Sequence, residues 1–263
     1  MDGRGIELSD ELAFALNLAD LADAISLTHF RSDGLAVETK ADASPVTVAD
    51  RAIEQAIRAR VAAERPGHRV VGEEYGSGEG SGPCWIIDPI DGTKKFVRGI
   101  EQFATLIALE QGGEIVLGVA SAPAMRRRWW AARGLGAYAD GRPIRVSGIA
   151  ELRQANVLVG GIEGWARTGR VDQLGAIAGA SWATGGMGDF WIHLLVAEGS
   201  AEAAIETEAA VWDVAALKVI VEEAGGRFSD LAGDPGIRGG NALSTNGLLH
   251  ADLLARLQSG AQV

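Results

Sequence analysis

Apolar and polar positions along the chain change period more than once, and the changes divide it into elements. Leu12, Leu16 and Ala19 alternate with Phe14, Leu18, Leu21 and Ile25 on adjoining faces, which predicts a helix over 9–30 packed on two sides. Ser9 and Asp10 are its candidate N-caps. A polar loop is expected over 31–45. Ile53, Ile57 and Val61 recur at i, i+4 and i+8 and predict a second helix over 47–64, ended by Pro66-Gly67. The centre then shortens its period: strands are expected at 69–72, 84–88, 104–109, 115–122 and 128–132. The intervening stretch 76–83 is rich in Gly and Ser and reads as a loop.

From Ala155 the two periods alternate. Strands are expected at 155–160, 181–184 and 203–206, each followed by a helix, at 170–179, 188–198 and 212–224. Gly225-Gly226 closes the last of these as a C-cap. A strand near 243–245 leads into a short helix over 247–258. Helices and sheets in this order predict an α/β fold of stacked layers. A soft boundary near Ser147 separates subdomains 1–147 and 148–263, but no Pro-rich linker lies there, so 1–263 is expected to fold as one unit.

Composition narrows the classes of function. The 263 residues are 47% hydrophobic, enough for a full core. A formal net charge of -11 disfavours nucleic acid and anionic membranes as partners. The one cysteine, Cys84, excludes an intramolecular disulfide and reads as a small buried hydrophobe, in keeping with a reducing cytoplasm. The N-terminal stretch has acids where a secretory signal has basic residues, and no run approaches the roughly 20 apolar residues of a membrane span.

Candidate chemistry concentrates where apolar strands end in acids. Trp85-Ile86-Ile87 runs into Asp88-Pro89-Ile90-Asp91-Gly92-Thr93, and Val70-Val71 runs into Gly72-Glu73-Glu74. Asp213 opens an apolar helix, and Asp50 follows Thr47 by three residues. Each acid also has a structural reading: Asp50 as a capping-box carboxylate with Thr47, Asp213 as a helix N-terminal acid, Glu73-Glu74 as a solvated turn. Asp88 and Asp91 resist that reading, because a structural turn needs only one Asp. Carboxylates brought together would take up protons or bind cations. Hard oxygen ligands from several elements suit Mg²⁺, and no His or Cys cluster offers zinc-type ligands. Gly92-Thr93 adds a backbone nest and a hydroxyl, suited to phosphate oxygens or to orienting a water.

WIIDPIDGTKKF, with GEE upstream (72–74) and WDVAAL downstream (212–217), resembles the inositol monophosphatase family of Mg²⁺-dependent, lithium-sensitive phosphomonoesterases, over almost the whole chain and in the same order. The resemblance implies a layered αβαβα sandwich of the inositol monophosphatase/sugar phosphatase type and a homodimer. It implies that Glu73, Asp88, Asp91, Asp213 and the Ile90 carbonyl bind metal. Asp50 would hold a further Mg²⁺ and, with Thr93, help activate the attacking water, leaving Asp50, Glu73 and Thr93 as the catalytic set. The amides of Gly92 and Thr93 would receive the phosphate. Lys40 matches a family lysine near the site and equally reads as a solvated loop residue. Where the family usually has Asn, this chain has Lys95, and Glu101 falls in a stretch the family keeps apolar.

RRWWAARG (127–134), GDFWIHLLVAEG (188–199) and GGNALSTNGLLH (239–250) resemble the histidinol-phosphate phosphatase branch. Histidinol phosphate carries an ammonium and an imidazole, so its cavity should be acidic beyond the metals. Asp189, Glu206 and Glu208 are the substrate-side candidates, with a strand's period of two placing Glu206 and Glu208 on one face. Residues 40–47 also resemble the branch that removes a phosphate from adenosine bisphosphate. An acidic pocket argues against such a polyanion, and a neutral inositol ring would not need the extra charge. A reading of another class is a metal-binding regulatory protein that lost turnover through Lys95. His193 reads as structural, and the cluster 126–128 as a solvated basic strand end rather than a hold on the substrate phosphate of a neighbouring subunit. Trp129-Trp130 read as one ring inward and one outward, or at an interface.

Overall fold

The computed structural model describes residues 3–40, 45–78 and 82–259. The chain opens with α1 (Gly3–His29), β1 (Val37–Thr39), β2 (Pro45–Thr47) and α2 (Val48–Glu64). Then come β3 (Arg69–Gly72), β4 (Gly76–Ser77), β5 (Cys84–Asp91), α3 (Thr93–Val97), β6 (Ala104–Gln111) and β7 (Glu114–Ala122). β8 (Arg127–Ala132), β9 (Gly136–Ala139), β10 (Arg142–Pro143), β11 (Asn156–Val159), α4 (Ile162–Arg167) and α5 (Val171–Ala180) follow. The chain continues through β12 (Ala183–Gly185), α6 (Asp189–Ala197), β13 (Ala203–Glu206) and α7 (Val211–Glu223). It closes with β14 (Arg227–Ser229), β15 (Ala242–Thr245) and α8 (His250–Gln258).

Two sheets carry the architecture: an eight-stranded sheet in the order β10-β9-β8-β7-β6-β5-β3-β4 and a five-stranded sheet in the order β12-β11-β13-β15-β14. Side chains alternate across each strand, so every central strand serves two cores. On one face of the large sheet Trp85, Ile87, Ile107, Leu109 and Trp130 pack with α1 and α2. On the other, Ile86, Leu106, Trp129 and Ala131 pack with α6 and α7. α6 turns Ile192 and Val196 toward Leu158 and Ala204 of the small sheet. Val157, Val159, Ala203 and Ile205 point the opposite way, into a core shared with Trp165, Ile177 and Leu253 of α4, α5 and α8. The result is the layered α/β sandwich predicted from the sequence. Its central helix layer is buried on both sides, which is why α6 and α7 read as nearly continuous apolar runs.

Several local readings are corrected. The first helix begins at Gly3, so Ser9 and Asp10 lie inside it and cannot cap it. The expected polar loop over 31–45 contains a short antiparallel pair, Val37 opposite Thr47 and Thr39 opposite Pro45. Within the Gly/Ser-rich stretch Gly76 and Ser77 pair with β3, while residues 79–81 lie outside the described residues. α4, β9 and β14 are too short for a periodic signal. The final helix starts only at His250, because Asn246 Oδ1 accepts the amides of Leu248 and Leu249 and holds the preceding turn. Trp129 and Trp130 face opposite sides of the sheet, but neither ring is simply outward: Trp129 is fully buried beside Phe190, and half-buried Trp130 packs on the α1 side and stacks on Tyr138. Among the described residues no helix is long and apolar enough to cross a membrane.

The contact that seats α7 on the large sheet is close. A Cβ on Gly118 of β7 would stand 2.5 Å from the Ala216 carbonyl oxygen and 2.8 Å from its Cα. Gly118→Ala must therefore push α7 outward, and a loss of about 1–3 kcal/mol is expected, as for other overpacked cores. Urea unfolding of the metal-free protein checks it; an unchanged midpoint would show that α7 is free to shift.

Candidate active site

The geometry of the site begins with an irregularity in β5. Residues three apart on a regular strand face opposite sides of a sheet. Asp88 pairs with Leu106 and Asp91 with Ala104, so β5 spends three residues where β6 spends two. That extra residue brings Asp91 back to the side of Asp88, the face covered by α6 and α7. The turn is held by its own hydroxyls: Thr105 Oγ1 donates to the Pro89 carbonyl at 2.7 Å and Thr93 Oγ1 to the Ile90 carbonyl at 2.9 Å. Gly92, at φ 85°, then turns the chain into α3, and a Cβ there would come 3.0 Å from the Gln102 carbonyl.

α7 supplies the third acid. Asp213 accepts the Ala210 amide at 2.7 Å, so its reading as a helix N-terminal carboxylate is correct. The same carboxylate also joins Asp88 and Asp91, with one oxygen of each lying within 4.8 Å of the others. Burial pushes the carboxyl of Asp88 well above the ordinary range, and Glu73, Asp91 and Asp213 push it further. Burial raises Asp91 likewise, followed by Asp189 and Asp213. Asp213 is carried up to about 7, chiefly by burial. Asp88 Oδ1 is buried and accepts no hydrogen bond from any described residue. Like charges this close in low dielectric bind protons or cations. An orphaned carboxylate oxygen in an all-oxygen donor set fits a hard divalent cation such as Mg²⁺.

Glu73 lines the cleft beside this trio, but its carboxylate is bonded to Lys40, whose Nζ donates to Glu73 at 2.7 Å and to Glu74 at 2.6 Å. The solvated readings of Lys40 and of Glu73-Glu74 are thereby corrected, because each holds the other at the site. Glu54 was not legible as part of it. It lies one position off the Ile53–Ile57–Val61 stripe, yet its buried carboxylate accepts the amides of Glu74 at 2.8 Å and Tyr75 at 3.2 Å. A Cβ on Gly72 would overlap that carboxylate, so only glycine allows the strand to pass.

Asp50 meets its capping-box reading and also lies beside Thr93. It caps α2 by accepting the Thr47 amide at 2.8 Å while Thr47 Oγ1 accepts the Ala49 amide at 3.1 Å. Its other oxygen lies 3.4 Å from Thr93 Oγ1. Burial raises its carboxyl above the ordinary range.

The opposite wall is built from α4, α6 and the end of β13. Glu206 closes β13, and its Oε1 accepts the Asp189 amide at 3.0 Å. A Cβ on Gly160 would fill the space its carboxylate occupies. Burial pushes Glu206 up to about 8, with Asp189 adding to the effect. β13 ends at Glu206, so a strand's period does not bring Glu208 alongside it. Glu208 still lines the same cleft, but it is exposed and ion-paired with Arg167 of α4, which sequence reasoning missed. Asp189 stands at the first position of α6 with its carboxylate bound to Lys95, whose ammonium also donates to the Met187 carbonyl. Lys95 thus faces α6 rather than replacing metal charge in the trio. Glu101 is paired with Arg31 at 3.4 Å and does not line the cleft. His193 is buried against Ser244 Oγ at 2.7 Å. In the cluster 126–128, Arg127 pairs with Asp140 and Glu198, and Arg128 with Asp20 and Asp23; both are half-buried and neither lines the cleft.

A cleft of about 390 Å³ is lined by Glu73, Gly92, Thr93 and Asp213 together with Arg167, Asp189, Glu206 and Glu208. A layered α/β sandwich with a carboxylate trio at the mouth of a strand, able to bind a metal, defines the class. The model of the inositol monophosphatase family matches residues 7–261. The chain is 48% identical to the histidinol-phosphatase of Mycobacterium tuberculosis over 257 residues, 95% of this chain and 99% of that one. It is 44% identical to the histidinol-phosphatase of Streptomyces coelicolor, over 94% of this chain and 97% of that one. The crystal structure of the extragenic suppressor protein SuhB from Bartonella henselae matches it with a TM-score of 0.89 at 29% identity, over 95% of this chain and 99% of that one. The chain belongs to the inositol monophosphatase family and is a phosphatase. That sets aside the reading as a protein without turnover.

The raised carboxyls have a measurable sign. In the folded, metal-free chain Asp213 and Glu206 keep protons up to about 7 and about 8, against ordinary values of 3.8 and 4.5. The native state then binds more protons than the unfolded one, and stability falls as pH rises through that window. His193 and His250, pushed by burial to about 4, act in the opposite direction only below their ordinary 6.5. Between pH 6.5 and 8 the Tm of EDTA-treated protein should therefore fall, and saturating Mg²⁺ should remove the fall. A Tm that is flat or rises over that interval in EDTA would contradict the electrostatics described.

Proposed function

We propose that the protein is a Mg²⁺-dependent phosphomonoesterase that hydrolyses L-histidinol phosphate to L-histidinol and phosphate, as a cytoplasmic homodimer. The observation that carries the substrate reading is Glu206, a buried carboxylate in the cleft wall that no ion pair reaches among the described residues. A substrate ammonium or imidazolium is the natural partner for such a group. The names of the two bacterial relatives support the same reading.

Asp88, Asp91, Asp213, Glu73 and the Ile90 carbonyl would hold Mg²⁺, with Asp50 at a further ion. Bound there, the metal supplies charge neutralisation for the phosphate and acidifies a water. The chain's own residues do the rest. Thr93 Oγ1, set between the Ile90 carbonyl and Asp50, orients the water, and the Asp50 carboxylate takes its proton as a general base. The amides of Gly92 and Thr93 receive the phosphate oxygens. Glu206, with Asp189 and Glu208 beside it, orients the histidinol part so that its ester oxygen lies in line with the attacking water. The water oxygen bonds to phosphorus, the ester P–O bond breaks, and the leaving oxygen collects a proton. A bisphosphate would bring more negative charge to this wall, where Lys95 and Arg167 are already engaged by acids.

Phosphate release from histidinol phosphate, inositol 1-phosphate, fructose bisphosphate and adenosine bisphosphate, measured in parallel, tests the reading. Histidinol phosphate should have the highest kcat/KM, and a clear preference for an anionic sugar or nucleotide would refute it. Asp91→Asn should lower kcat by about a thousandfold, the several kcal/mol a metal site supplies, with circular dichroism unchanged. Glu206→Gln should raise KM for histidinol phosphate by about tenfold or more and leave that for inositol 1-phosphate nearly unaltered, as expected for one lost charge-assisted contact. Equal effects on both esters would place Glu206 outside ammonium recognition.

A further inference from the structure

Lys95 is the one departure inside the strand-end motif, and its side chain reaches across the cleft. The segment Met187–Phe190, which starts α6, is gripped by five hydrogen bonds from outside it. Lys95 donates to the Met187 carbonyl and to Asp189 Oδ2, and Gln102 Nε2 donates to the Gly188 carbonyl at 3.0 Å. Glu206 accepts the Asp189 amide at 3.0 Å and Asp91 accepts the Phe190 amide at 2.6 Å. Asp189 itself sits at φ 57°, a left-handed conformation that a residue with a side chain keeps only when its surroundings hold it. Its carboxylate lies above Gly92, where a Cβ would come within 3.1 Å of Oδ2.

We infer that Lys95 is a positioning residue: it locks the left-handed Asp189 and the start of α6, and so sets the substrate wall at a fixed distance from the phosphate turn. Two acceptors, one of them a backbone carbonyl, use the ammonium as a tie between α3 and α6. Only a long cationic side chain bridges both. An asparagine, the residue family members usually carry there, is too short to make that bridge, so this chain depends on Lys95 for the placement of Asp189 and, through the Asp189 amide, of Glu206. A simple counter-ion that the substrate's ammonium displaces would have the opposite signature, because removing it would free Asp189 and improve binding. The inference rests on the proposed function in taking this wall as the place where the leaving group binds.

Steady-state kinetics of Lys95→Met and Lys95→Arg in the full-length protein at saturating Mg²⁺ test it. The methionine variant should raise KM for histidinol phosphate about tenfold with kcat within about threefold, and arginine should restore most of the loss. Asp189→Asn added to Lys95→Met should cost less than Asp189→Asn alone in the wild type, because both substitutions break the same tie. If histidinol phosphate is not turned over, the proposed substrate fails on its own, and the same comparison is made with the best ester of the panel. Should Lys95→Met fail to fold, Lys95→Asn carries the same expectation. A KM that falls, or that moves by less than twofold for the preferred ester, overturns the inference, as does full additivity with Asp189→Asn.

Discussion

Everything in this molecule is arranged around a repulsion. Asp88, Asp91 and Asp213 are brought to within 4.8 Å of one another away from water, where neither desolvation nor like charge favours the ionised state. A cluster of this kind adds no stability by itself, so the surrounding layers have to impose it. They do so from two directions. β5 carries two of the acids into a core of both-face-buried strands, and α7 brings the third on a helix seated against the Gly118 backbone. A divalent cation turns the same repulsion into binding energy.

Rigid elements position the trio, and short polar ties complete the site around it. The irregular pairing at Asp88 and Asp91 aims both carboxylates at the helix layer. Glu54, buried beneath Gly72, fixes the turn that carries Glu73, and Thr47 fixes Asp50 beside Thr93. These ties come from α2 and from the turn before it. One helix, buried on its apolar face, thus supports both the turn that carries Glu73 and the carboxylate of Asp50.

The opposite wall is built on another principle. Two of its acids are already matched with cations of the chain, Asp189 with Lys95 and Glu208 with Arg167. Pairing keeps the wall ordered and lowers its net field, leaving Glu206 as the buried carboxylate without an ion-pair partner among the described residues. Under the proposed function, discrimination between esters rests on one group held at a defined place, rather than on a diffuse acidic patch.

Much of this was legible in the amino-acid sequence. Periodicity located most of the helices and strands, because amphipathic faces and both-side-buried strands leave repeating patterns. WIIDPIDGT, GEE and WDVAAL identified the acids, because metal chemistry demands particular side chains in a local order. Short elements were read only in part: four-residue β3 and β13 were expected, whereas α4 and β14 were not. Local sequence also could not show which partners the polar groups would find. Glu54 and Arg167 carried no reading and Lys40 read equally as a site lysine or a solvated loop residue, until the chain brings each to a residue tens of positions away. Lys95 stood out only as a mismatch, and its contact with Asp189 spans 94 positions. The sequence by itself determined the layered fold class and which acids stand at the strand ends, because both follow from local pattern. The pairing of charges, the orphaned oxygen of Asp88 and the isolation of Glu206 were decided by tertiary structure alone, since each depends on distance and burial between segments far apart in the chain.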